Sequence, residues 1–118
     1  MTKSGNDLVE EAKVRVREID AANAIMQHQD ADTVFLDVRE PNEWNLGHVP
    51  GAIHIPRGQL EGNVESLIGR DKNLVVYCAG GSRSALAADT LQQLGYNRVT
   101  SLKGGFRGWA EGGGDIED

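Results

Sequence analysis

The chain has 118 residues, 39% hydrophobic and 25% charged, which allows one domain with a single core and excludes both a second full domain and disorder over most of the length. Its formal net charge of −6, with no cluster of Lys and Arg, argues against nucleic acid as a partner, because neutralising phosphates needs such a cluster. No apolar run approaches the ~18 residues that span a bilayer, the start MTKSGNDLVEEAKV lacks the apolar stretch of a secretion signal, and the single cysteine can close no internal disulfide, so a cytoplasmic protein away from the membrane is expected.

Residues 1–14 pattern as an amphipathic helix, with Leu8, Val9 and Ala12 on one side, and are read as an N-terminal extension to a domain at 15–111. A short strand is expected around Arg15 to Arg17, then a helix capped by Asp20 that turns Ala24, Ile25 and Met26 inward. TVFLDV, 33–38, is nearly continuous in apolar character up to Asp37, which suits a strand buried on both faces of a parallel sheet. GAIHIP, 51–56, reads as a third strand ended by Pro56, with a helix after it through Leu60, Val64, Leu67 and Ile68.

NLVVYC is a fourth strand. Residues 82–94 follow with helical spacing through Leu86, Ala87, Leu91 and Leu94, and Gly95 supplies a left-handed stop. RVTSL is a fifth short strand, KGGFRGWAEG a glycine turn into a short helix carrying Phe106 and Trp109, and 112–118 a flexible acidic tail. Strands alternating with helices imply an α/β fold with a parallel sheet and helices on both faces. In such sheets ligands sit beyond the carboxyl ends of the strands.

Cys78 stands at such an end, followed by a tight turn at Ala79 to Gly81 and by a helix starting at Ser82 or Arg83. Unpaired N–H groups at a helix start attract anions, glycines at 80 and 81 let the backbone turn its amides inward, and Arg83 offers a planar fork suited to oxyanions. This environment favours the thiolate, a ready nucleophile toward sulfur, phosphorus or arsenic centres. The competing reading, a buried spectator thiol in an ordinary strand-to-helix turn, leaves Gly80, Gly81 and Arg83 at this spacing unexplained.

Three segments resemble the rhodanese-like family: DVREPNEWNLGHVPGAIHIP at 37–56 its first motif, CAGGSRS at 78–84 its active-site loop, and LKGGFRGW at 102–109 its closing glycine turn and aromatic helix. The resemblance implies a five-stranded parallel sheet flanked by helices and a sulfur atom carried as a persulfide on Cys78, with the amides of 79–83 around the outer sulfur. It further implies a sulfurtransferase of the thiosulfate type. Cys78 attacks the donor's outer sulfur, sulfite leaves, and a thiophilic acceptor, a small molecule or another protein's cysteine, later takes the sulfur; no cofactor is needed. Four residues separate Cys78 from Arg83, one fewer than in phosphatases of similar fold, and the smaller ring suits one sulfur better than a phosphate.

The substrate-binding set is therefore Ala79, Gly80, Gly81, Ser82 and Arg83, with Asp37, Arg39, Arg57 and Ser84 in support. Asp37 is expected to anchor loop amides or Arg39, Arg39 either to pair with Glu43 on the surface or to approach the pocket, and Arg57 either to reach the same rim or to stay solvated. His48 is expected to hydrogen-bond a turn, and His28, His48 and His54 lack metal-ligand spacing, so no metal is expected. Trp44, Phe106 and Trp109 read as packing. Two other functions share Cys78: a sulfur-delivery or regulatory module acting on a protein partner, and an oxyanion reductase or phosphatase.

Overall fold

The computed structural model describes residues 2–118. The elements run α1 (Gly5–Arg15), β1 (Arg17–Ile19), α2 (Ala21–Gln27), β2 (Thr33–Asp37), α3 (Pro41–Asn45), β3 (Ile53–His54), a 3-10 turn at Arg57–Gln59, α4 (Leu60–Leu67), β4 (Asn73–Tyr77), α5 (Ser82–Gln93), β5 (Val99–Leu102) and α6 (Gly105–Glu111). The five strands form one sheet in the order β1-β5-β4-β2-β3, and every pairing is parallel.

Alternation along the central strands builds a two-sided core. Leu74 and Val76 of β4, with Leu36 and Val38, pack on Ala12, Leu60, Val64, Ala85, Ala88 and Leu91 from α1, α4 and α5. Val75 and Tyr77, with Phe35 and Leu102, pack on Ala24 and Trp109 from α2 and α6. Two residues beyond Val76, Cys78 keeps the same parity and lies on the α5 side. All these strand residues are buried on both faces, which explains their unbroken apolar reading.

Several boundaries differ from expectation for physical reasons. The first strand covers Arg17–Ile19 rather than 15–17, because α1 continues to Arg15, whose guanidinium makes two hydrogen bonds to Asp89 of α5 at 3.0 and 2.8 Å. Ala12 is fully buried, so this helix contributes to the main core. Ala24 is buried while Met26 is 72% exposed; two helical residues apart they point about 200° apart and cannot share a face. The third strand shrinks to Ile53–His54, since Gly51 (φ +77°) turns the chain before it and Pro56 has no N–H to donate after it.

Asp20 caps α2 by accepting from Asn23 N–H, and Gly95 (φ +96°) ends α5 with Tyr96 N–H donating to Leu91 C=O, the six-to-one closure of a left-handed stop. Residues 112–118, expected as a flexible tail, run back over the loop at 47–51. Trp109 Nε1–H donates to Asp115 C=O at 2.7 Å, and His48 and Glu117 exchange both backbone hydrogen bonds at 2.9 Å. Two buried groups anchor this return, an indole N–H that needs an acceptor and the backbone of His48.

Candidate functional site: a cysteine loop closed by two helix starts

β4 ends at Tyr77, and the chain turns through Cys78–Gly81 into α5. Gly81, at φ +108°, is the residue before the helix, a conformation that favours glycine and that brings its own N–H round onto the sulfur. Gly81 N–H donates to Cys78 Sγ at 3.0 Å and Ser84 N–H at 3.4 Å, while the thiol faces Ser84 Oγ at 3.6 Å. Cys78 is only 1% exposed, so these protein donors, rather than bulk water, solvate the sulfur.

A second helix start holds the loop from behind. Phe106 N–H donates to Cys78 C=O at 2.7 Å and Arg107 N–H to Ala79 C=O at 3.2 Å, using amides that the first turn of α6 leaves free. In a trans peptide the C=O and N–H point in opposite directions, so fixing these two carbonyls onto α6 turns the N–H groups of Ala79 and Gly80 away from it. Gly105 permits this approach: a Cβ there would lie 2.5 Å from the carbonyl oxygens of both Cys78 and Ala79. In the sequence the adjacent glycines 104 and 105 mark a turn, and the structure, with both at positive φ, shows that the turn closes on the cysteine loop.

Ser84 is fully buried, and its hydroxyl lies 3.2 Å from Gly81 C=O and 2.8 Å from Ser101 Oγ of β5. Ser101, also fully buried, carries no local mark in RVTSL, where Thr100 beside it is equally polar. Ser82 and Gly80 are exposed at the mouth of the loop, and Ala79 is half-buried.

The supporting arginines are distributed differently from the sequence reading. Arg39 does not pair with Glu43. It folds back into the protein, where Asp37 receives its backbone N–H at 2.9 Å and its Nε and Nη2 at 3.0 and 2.7 Å, while Nη2 also reaches Gly47 C=O at 2.7 Å. Burial works against its charge, but Asp37 overcomes this and holds the guanidinium above its ordinary pKa. The guanidinium carbon sits 4.4 Å from the Phe106 ring centroid, linking the end of β2 to the start of α6. Beside it burial, reinforced by the Asp37 charge, pushes the Tyr77 hydroxyl upward, which keeps it neutral and able to accept from Val49 N–H at 3.1 Å.

Glu43 instead meets Arg83, forty residues away: Nη1 donates to Oε1 at 2.8 Å and Nη2 to Oε2 at 3.1 Å. These bonds draw the Glu43 carboxyl down to about 2, and the same pair raises Arg83. Arg57 follows β3, and its N–H donates to Val38 C=O just past β2 at 3.0 Å, but its guanidinium goes to Glu61 and to Thr90 Oγ1, two turns along α5 from the loop. His28, His48 and His54 each contact a backbone carbonyl, of Pro50, Trp44 and Arg39. Among the described residues no group of three His, Cys, Asp or Glu side chains could hold a metal. Trp44 stacks on both His48 and His54, with ring centroids 3.4 and 4.8 Å away.

A parallel sheet whose central strand delivers a cysteine into a tight loop between two helix starts defines the class of α/β domain to which this site belongs. The rhodanese-like domain profile matches residues 19–112, and the chain belongs to that family. It is 37% identical over 99 residues to a sulfurtransferase of Allochromatium vinosum, covering 83% of this chain and 92% of that one. It is 44% identical over 83 residues to the uncharacterized protein YqhL of Bacillus subtilis, covering 70% of this chain but spanning only 63% of that protein's length. Among solved structures, a Rhodopseudomonas palustris protein of unknown function, described as a possible tyrosine phosphatase, superposes with a TM-score of 0.90 at 36% identity, covering 99% of this chain and 96% of that one. A rhodanese-like domain from Anabaena sp. gives 0.80 at 29% identity, covering 85% and 77%. No helix among the described residues is long and apolar enough to cross a membrane.

Proposed function

We propose that the protein is a sulfurtransferase that carries a sulfane sulfur as a persulfide on Cys78, drawn from thiosulfate or a similar donor and passed to a thiophilic acceptor. The observation that supports this most is the pair of backbone N–H groups on the buried Cys78 Sγ, at 3.0 Å from Gly81 and 3.4 Å from Ser84. Such donors stabilise negative charge on sulfur before attack and on the outer sulfur after it. The thiolate attacks the donor's outer sulfur, the donor's S–S bond breaks with its electron pair on the leaving sulfite, and the loop amides from Ala79 to Arg83 surround the sulfur retained on Cys78. Neither metal nor cofactor enters the balance. A thiol that must remain free suits a reducing, cytoplasmic setting.

Intact mass after thiosulfate treatment tests this reading: the wild type gains one sulfur, reductant removes it, and Cys78→Ser gains none. A wild-type chain that never gains the sulfur from any sulfane donor defeats it. A second reading, delivery to a protein acceptor, draws support from Leu46, 85% exposed at the C-terminal cap of α3, the helix that carries Glu43. It requires transfer to an acceptor protein to outpace transfer to cyanide. A phosphatase reading is disfavoured by the four-residue interval between Cys78 and Arg83, and phosphatase activity lost in Cys78→Ser would revive it.

A further inference from the structure

The three arginines that the sequence offers to an anionic donor are all engaged by the protein itself. Arg39 is consumed by Asp37 and Gly47, and Arg57 by Glu61 and Thr90. Arg83, alone of the three in belonging to the loop, has one N–H of each terminal nitrogen held by Glu43 in a fork-to-fork pair at 2.8 and 3.1 Å.

Glu43 is itself fixed. Glu40 N–H donates to its Oε1 at 3.0 Å, closing a capping box at the start of α3, and its side chain is only 29% exposed. The carboxylate of Glu40 acts on Arg83 as a further, weaker negative charge. A donor approaching Cys78 therefore meets a guanidinium already neutralised by a preorganised carboxylate, on a chain of net charge −6. The loop amides still recognise one sulfur, but no unpaired guanidinium among these three waits for a sulfonate.

We propose that Glu43 is a specificity-determining residue: by occupying the fork of Arg83 it disfavours the dianion thiosulfate and selects donors that carry a single charge, the persulfides of small thiols. This rests on the reading of Cys78 as the sulfur carrier. In the step, the Cys78 thiolate forms a bond to the donor's outer sulfur, and the donor's S–S bond breaks with its electron pair on the inner sulfur, which leaves as a thiolate. Cys78 keeps the outer sulfur as its own persulfide, and no oxidant or reductant is required. Thiosulfate follows the same course with sulfite as leaving group, but brings two charges toward an arginine whose fork Glu43 already fills.

The test compares kcat/KM for loading the full chain from thiosulfate and from N-acetylcysteamine persulfide, whose body is uncharged. Wild type is expected to favour the persulfide, and Glu43→Gln, which preserves the capping-box residue type, to move the ratio toward thiosulfate by about tenfold, the scale of one nearby unit charge in a partly solvated site. A salt series on the wild type supplies a readout independent of the variant's folding: raising ionic strength from about 0.01 to about 1 M, which shortens the Debye length from ~30 to ~3 Å, should raise thiosulfate loading more than persulfide loading. A wild type that prefers thiosulfate, or a ratio that neither Glu43→Gln nor salt moves, overturns the role of Glu43 while leaving Cys78 as sulfur carrier. Failure to load from both donors overturns both.

Discussion

Gly105 and Cys78 are pressed together across the site: a Cβ on Gly105 would stand 2.5 Å from the carbonyl oxygen of Cys78, and the next amide, Phe106 N–H, donates to that oxygen at 2.7 Å. The cysteine loop is thus shaped from outside its own sequence, by a glycine twenty-seven residues away that has no side chain to lose and sits at φ +59°. Gly105→Ala is expected to push the loop off α6 and rotate the amides of Ala79 and Gly80. Sulfur loading should fall at least about tenfold, with a stability loss of about 1–3 kcal/mol from the forced positive φ and the lost approach. Loading measured by intact mass, alongside urea unfolding, checks both, and a fully active Gly105→Ala variant would show that the loop holds its own shape.

The buried Asp37–Arg39 pair calls for a different measurement. Both side chains are almost completely enclosed, at 0% and 6% exposure, so removing one leaves the other charged and unpaired in the interior. Arg39→Ala should cost about 3–5 kcal/mol, and Asp37→Ala a comparable amount. Arg39→Lys should recover only part of this, because an ammonium cannot reproduce the fork or stack on Phe106. Thermal unfolding of the three variants gives the order, and a Lys variant as stable as wild type would rule out the planar fork as the requirement.

Glu43 and Arg83 make stability depend on acid. The carboxyl is drawn down to about 2 in the folded chain from an ordinary value of 4.5, so the folded state holds the ionised form more tightly than the unfolded state does. The contribution is fully present above the unfolded value and is lost as pH falls through the folded one. Wild type should therefore lose part of its stability margin over Glu43→Gln between about pH 5 and pH 2, by an amount near 1 kcal/mol once solvent screening of a surface pair is allowed for. Urea midpoints of the two proteins across that range test it; a constant difference would mean that the pair adds nothing.

Ser84 joins three parts of the site, lying 3.6 Å from the sulfur, 3.2 Å from Gly81 C=O and 2.8 Å from Ser101 Oγ. Ser84→Ala removes the hydroxyl and leaves Ser101 buried without this partner, which should cost about 1–3 kcal/mol. The double variant with Ser101→Ala should be less destabilised than the sum of the single changes, since both partners then go together. Additive losses in urea unfolding would mean that the two hydroxyls do not depend on each other.

Deleting residues 115–118 removes the acceptor of the Trp109 indole N–H and both backbone bonds to His48, at 2.7 and 2.9 Å. A stability loss of about 1–3 kcal/mol is expected, with faster amide exchange at His48 and Gly51, whose N–H groups donate to Glu117. Unchanged exchange at those amides would show the return strand to be unnecessary.

Much of this molecule is legible along the chain because its signals are local. The apolar runs TVFLD and NLVVY are strands buried on both sides, Asp20 and Gly95 punctuate helices by bonds that reach only a few residues, and Cys78 falls at a strand end followed by glycines, whatever surrounds it. Pairings between distant elements leave no such local mark. Arg39 and Glu43 stand four apart, a spacing that pairs side chains on a continuous helix, but Arg39 precedes α3 and its chain has already turned toward Asp37. The true partner of Glu43 is contributed by α5, brought there by the β2–β4 pairing that aligns Asp37 with Tyr77.

The order of residues alone determined the alternation of strands and helices, the parallel sheet, and the position of one thiol at a carboxyl edge, because hydrophobic period, caps and glycine turns act between neighbours in the chain. Tertiary structure decided which carboxylate holds which arginine, that α6 grips the cysteine loop by its carbonyls, and that the acidic end returns to His48. These depend on where separate elements come to rest in space, and a hydrogen bond of 2.7 Å between residues twenty-eight apart leaves no mark on the sequence between them.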